Sequence, residues 1–141
     1  MKVKSPKLIS EATLLASDPH DYMNEAQLEF FRQRLIDMKA ELIRNATDTA
    51  EHLREMTIPS DPADRATLEE EYALELRTRE RERKLLSKVE AALRRIDDES
   101  YGYCEETGEP IGIPRLLARP TATLTIDAQE RRERSQRAFA D

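Results

Sequence analysis

The chain has 141 residues, of which 37% are charged and only 38% apolar. That balance excludes a large single core and suits a narrow helical seam joined to a small compact module. The formal net charge of −6 argues against direct nucleic-acid binding, because phosphate recognition depends on Lys and Arg.

Residues 1–23 are mixed in character and are expected to form the N-terminal part of a small globular module. The first ten residues carry lysines but no apolar stretch of signal-peptide type. No run of about 18 apolar residues occurs anywhere, so the expectation is a soluble cytoplasmic protein without a membrane span. Leu8, Ile9, Leu14 and Leu15 suit a short amphipathic turn, and Ser17 to Asp21 reads as a loop.

Residues 24–100 are expected to form a long antiparallel helical hairpin. Asn24 suits an N-cap, and no Pro or Gly follows until Pro59. Pro59, Asp61 and Pro62 punctuate a tip near 58–66, and a second unbroken stretch runs to about Ser100. In the first arm a 3-4 repeat runs Leu28, Phe31, Leu35, Met38, Leu42, Asn45, Thr49, His52, Met56. In the second it runs Leu68, Tyr72, Glu75, Arg79, Glu82, Leu86, Val89, Leu93, Ile96. Folded about the tip, Leu28 faces Ile96, Phe31 faces Leu93, Leu35 faces Val89 and Met38 faces Leu86. Asn45, Thr49 and His52 then meet Arg79, Glu75 and Tyr72. Apolar mostly meets apolar and polar mostly polar, as in a coiled coil. Leu42 against Glu82 is a mismatch, and Leu53, Leu74 and Leu76 fall outside the seam. Arms of this size would reach about 50 Å at about 1.5 Å per residue.

Residues 101–127 read as a compact, loop-rich, degenerate zinc-finger-like module. Tyr101-Gly102-Tyr103-Cys104 to Ile113 looks like one knuckle of a zinc ribbon, with Thr107 in the second ligand place. Thr125 and Ala128 hold the other two places, and the spacing from Thr107 to Thr125 suits a four-cysteine site. Three of four ligands are missing, so no zinc is expected. Tyr101, Tyr103, Ile111, Ile113, Leu116, Leu117, Leu124 and Ile126 could supply an apolar cluster instead. Cys104, the single cysteine, excludes an internal disulfide and suits a reducing compartment. It reads as a half-buried small residue, with redox sensing as the alternative. Residues 128–141 are helical in composition.

These blocks together resemble the DksA/TraR family, from about Tyr22 to Gln129. The resemblance rests on Tyr22 to Leu28, on Asp61 to Ala66 with Glu69-Glu70-Glu71 and Leu74 to Leu85, and on Tyr101 to Ala122. It implies a mainly α transcription factor, monomeric, whose hairpin enters the secondary channel of RNA polymerase. It places the functional tip on Asp61, Asp64 and Ala66; read alone, the two aspartates are ordinary helix-capping residues. It also implies guanosine tetraphosphate as co-regulator, contacted with polymerase by Lys88 and Arg119, with Leu85 and Arg81 nearby. Gln129 stands where the family pattern asks for a further basic residue. The implied action is the stringent response: weaker open complexes at ribosomal RNA promoters and activation at amino-acid promoters. A transcript-cleavage factor using tip carboxylates to recruit magnesium, and a generic coiled-coil adaptor, are the alternatives. No nucleophile–base pair or phosphate loop suggests an enzyme.

Overall fold

The computed structural model describes residues 8–140. Residues 1–7 of the expected N-terminal stretch, and Asp141 of the expected C-terminal helix, lie outside the described residues. Among the described residues five α-helices follow in order: α1 (Glu11–Leu15), α2 (Glu25–Glu55), α3 (Pro62–Asp97), α4 (Ile113–Ala118) and α5 (Ile126–Ala140), with a 3-10 turn at Pro19–Asp21. The mainly α fold with a long helical hairpin is as the sequence predicts. No strand occurs among the described residues, where Tyr103 and Pro110 form one isolated antiparallel bridge. The chain divides into two compact units. One combines Met1–Leu35 with Ala91–Asp141; the other is the hairpin segment Ile36–Glu90.

The hairpin segment owes its seam to the repeat and its turn to local capping. Along α2, Met38, Leu42, Asn45, Thr49 and Leu53 are half-buried, as is Met56 just beyond its end. Along α3, Leu68, Glu75, Thr78, Glu82, Leu85 and Leu86 are half-buried and Val89 is buried. The expected seam holds except at His52, Tyr72 and Arg79, which are exposed. Leu53 takes the place of His52, and Thr78 that of Arg79. Burying the Arg79 guanidinium would desolvate a charge, whereas the short neutral Thr78 fits the seam. His52 instead flanks it and pairs through Nε2 with Glu75 Oε1 at 2.9 Å. Glu82 does sit in the seam and is half-buried, which a long charged side chain allows because its stem can pack while its head stays in water.

The composite unit holds the true core. Phe31 is 0% exposed and its ring lies 5.6 Å from that of Tyr101, with Phe30 edge-on at 5.4 Å. Ala92 and Ile96 of α3 are buried in this unit, as are Leu14 of α1, Leu116 of α4, and Leu124. α1 packs on α4. Each large apolar side chain fully removed from water contributes about 1.5–3 kcal/mol. In the expected apolar cluster, Tyr101, Ile111, Leu116 and Leu124 are buried, but Tyr103 and Ile126 are exposed. Tyr103 instead turns outward, with its ring edge-on to Tyr22 at 5.5 Å.

α2 begins with a double cap. Asn24 Oδ1 accepts from Gln27 N–H at 2.9 Å, and Gln27 Oε1 accepts from Met23 N–H at 2.6 Å. The side-chain oxygen of Gln27 is thereby satisfied although the residue is fully buried. At the other end of the unit, every described side chain of α5 from Glu130 onward is exposed. Ala128 and an ion pair from Arg132 Nη2 to Glu106 Oε1 at 2.6 Å tie down its first turns.

Candidate functional site: hairpin turn and degenerate knuckle

The turn between α2 and α3 presents the residues singled out from the sequence. Asp61 is the N-cap of α3: its Oδ1 accepts from Ala63 N–H at 2.9 Å, and its carbonyl accepts from Arg65 N–H at 2.9 Å. Pro62 opens the helix, where its missing N–H costs nothing. Asp64 follows in the first turn, favourably placed toward the positive helix end. Its carboxylate is exposed and has no hydrogen-bond or ion-pair partner among the described residues; Ala66 is also exposed. The two aspartates thus differ in kind: Asp61 builds the turn, and Asp64 is free to meet a partner.

Arg81, Leu85 and Lys88 follow one another at spacings of four and three, which places them on one face of α3. Arg81 and Lys88 are exposed and Leu85 is half-buried. Arg119, in the composite unit, is the C-cap of α4; its N–H donates to Arg115 O at 2.8 Å and its side chain is exposed. Gln129 is spent on α5 itself, where its Nε2 donates to Glu133 Oε1 at 3.1 Å.

The knuckle is a tight turn held by backbone hydrogen bonds. Cys104 N–H donates to Glu109 O at 2.8 Å, Gly108 N–H to Cys104 O at 2.9 Å, and Ile111 N–H to Gly102 O at 2.8 Å. Tyr22 ties it to the start of α2: its hydroxyl donates to Gly102 O at 2.6 Å and accepts from Gly112 N–H at 3.0 Å. Tyr101 donates to Pro120 O at 2.7 Å, and burial pushes its hydroxyl pKa up. The four ligand positions converge. Thr125 Oγ1 lies 3.9 Å from Cys104 Sγ and accepts from Ala128 N–H at 3.2 Å, which makes Thr125 the N-cap of α5. Ala128 is buried beside it, and Thr107 Oγ1 accepts from Glu109 N–H at 3.3 Å. Burial pushes the Cys104 thiol up. Hydrogen bonds from the Thr107 hydroxyl and from the backbone of Thr125, Thr107 and Glu106 outweigh this and bring it to about 7.

One thiol, two hydroxyls and a methyl do not fit structural zinc, which takes four Cys or His donors. Among the described residues no group of three or more His, Cys, Asp or Glu is placed to hold a metal ion. No helix of the described residues is long and apolar enough to cross a membrane.

Sequence reasoning missed three features here. It read α4 as loop, because Gly112, Pro114 and Pro120 crowd it; the signal was Pro114 just inside the helix start with Leu116 and Leu117 behind it. It did not find the Gln27 cap. It also took Thr125 only as a lost ligand, although threonine three residues before Ala128 is an N-cap signature.

A long helical hairpin whose turn carries an unpaired carboxylate, joined in sequence to a knuckle of this kind, defines a class of hairpin proteins with a zinc-finger-derived module. Residues 27–96 match the family model of the DnaK suppressor protein DksA, N-terminal domain, and residues 99–134 match that of the prokaryotic dksA/traR C4-type zinc finger. The chain is 52% identical over 135 residues to the RNA polymerase-binding transcription factor DksA of Caulobacter vibrioides, covering 95% of each chain. It is 46% identical over 121 residues to that of Escherichia coli, covering 85% of this chain and 80% of the other. Its structure is similar to transcription factor DksA2 from Pseudomonas aeruginosa, with a TM-score of 0.81, 48% identity, and coverage of 91% and 99%. The chain belongs to the DksA family.

Proposed function

We propose that this chain is an RNA polymerase-binding transcription factor that acts through the secondary channel, with its hairpin turn as the effector end. The observation that carries the reading is the near-full-length likeness to proteins named for binding that enzyme. The exposed, unpartnered Asp64 at the turn supports it. A carboxylate on a helix start can contact basic groups without first breaking an internal ion pair. Ala66, one turn of chain beyond the cap, offers a small surface for close approach. The chain itself performs no catalytic step.

The regulatory part of the reading is an effect on promoter open complexes: repression at ribosomal RNA promoters and activation at amino-acid promoters, in the cytoplasm, with the factor acting as a monomer. Guanosine tetraphosphate would be held between the factor and polymerase. Lys88 and Arg119 would provide the phosphate contacts, since both are exposed cations without an ion-pair partner among the described residues. Leu85 and Arg81 would flank Lys88 on α3. With Gln129 in place of a base, the nucleotide effect rests on fewer charges.

The factor is proposed to work without zinc. Thr125 caps α5, Ala128 is buried in the core, and the apolar core of the composite unit supplies the stabilisation a metal would otherwise add.

In vitro transcription from a ribosomal RNA promoter in a chelator tests all three parts. The protein should inhibit, guanosine tetraphosphate should strengthen the inhibition, and Asp64→Asn should abolish it while leaving the fold intact. A protein that binds polymerase yet leaves transcription unchanged would overturn the channel reading.

A further inference from the structure

The hairpin turn carries a second surface beside its carboxylates. Leu53 and Met56 of α2 and the loop that follows, Ile58, and Leu68 and Tyr72 of α3 line an open groove of about 300 Å³. Arg65 and Glu69 complete its rim. Ile58 is 83% exposed, more than any other large apolar residue of the hairpin segment. Turns ordinarily carry polar residues in such a place, because an isolated exposed isoleucine gains nothing from water. Leu53, Met56 and Leu68, the last seam residues before the turn, form its floor, whereas Ile58 in the loop and Tyr72 are exposed and take no part in the seam.

The groove is continuous with the contact surface already proposed. Asp61 caps α3 three residues after Ile58, and Arg65, on the groove rim, directly follows Asp64. A partner that meets Asp64 and Ala66 therefore has the groove within one helical turn. We infer that the groove receives an apolar side chain of RNA polymerase, with Ile58 as the wall that closes over it. This rests on polymerase being the partner. Labour is divided along the turn. The apolar groove holds the turn in place and sets affinity, whereas Asp64 acts on the enzyme once docked. Apolar anchors received in this way dominate binding energy when the pocket is desolvated.

Affinity for polymerase, measured by fluorescence anisotropy of the full-length labelled chain, tests this. The variants are Ile58→Ser, Ile58→Leu and Asp64→Asn, each checked for its helical circular dichroism and its sedimentation. Ile58→Ser should weaken binding about tenfold, as loss of a buried isoleucine contact does. Ile58→Leu should restore most of it, and Asp64→Asn should bind nearly as tightly as the parent. Parental affinity of Ile58→Ser would overturn the inference alone, leaving the proposed function standing. So would a parent chain that self-associates through Ile58, seen as a change in sedimentation on substitution. Failure of the parent to bind polymerase at all would overturn both.

Discussion

Gly102 carries two constraints at once. Its φ of +90° suits glycine, and a Cβ there would meet Met23 Sδ at 2.8 Å and the Tyr22 hydroxyl at 3.2 Å. Gly102→Ala should therefore destabilise the protein by about 2–4 kcal/mol, read from urea unfolding. A loss below about 1 kcal/mol would mean that Met23 turns aside and that the packing against the knuckle is loose. Cys104 makes the complementary case for polar chemistry in a buried place. Its folded thiol ionises at about 7 rather than the ordinary 9.0. Because the folded thiol ionises more readily than the unfolded one, thiolate stabilisation is fully present above pH 9 and is lost as pH falls through about 7. The thiolate absorbance difference between the parent and Cys104→Ser should rise with a midpoint near 7. A midpoint at or above the ordinary value would mean that the threonines do not stabilise the anion.

At the scale of elements, the turn separates building from acting. Asp61→Ala removes the side-chain cap of α3 and should cost about 1 kcal/mol. Asp64→Asn removes only a first-turn charge and should cost a few tenths, about 0.3–1 kcal/mol at most. Matched thermal unfolding of the two variants checks this, and a larger loss for Asp64→Asn would show that Asp64 is structural. These helices were legible in the sequence because Asn24, Asp61, Pro62 and the 3-4 repeat all point the same way. The seam was less so from Asn45 outward, where His52, Tyr72 and Arg79 compete with Leu53 and Thr78. A repeat of polar residues leaves the buried face undecided, and only desolvation of whole side chains resolves it. α4 was hidden for a different reason: it is six residues long, bounded by turn-forming residues, and held by packing on α1 rather than by its own propensity. Among the site residues, Asp61 as cap was readable from chemistry alone. Asp64, Lys88 and Arg119 stood out only through family resemblance, because an exposed charge on a helix has no local signature.

For the whole molecule, one architecture serves two different stability problems. The hairpin segment is a narrow seam with polar members, of which Glu75 Oε2 is buried without a hydrogen-bond partner. Such a seam specifies register more than it stabilises. The composite unit contains the large buried side chains, and there threonine capping and a buried alanine occupy what would be ligand positions. The proposed action requires that the hairpin turn be the part that meets polymerase. The direct measurement places a photo-cross-linking residue at the exposed position of Ala66, irradiates the complex with RNA polymerase, and maps the adduct. An adduct with polymerase at the walls of the secondary channel is expected, diminished by excess unlabelled parent chain. A chain that binds polymerase yet yields no adduct from Ala66 would contradict the proposed action.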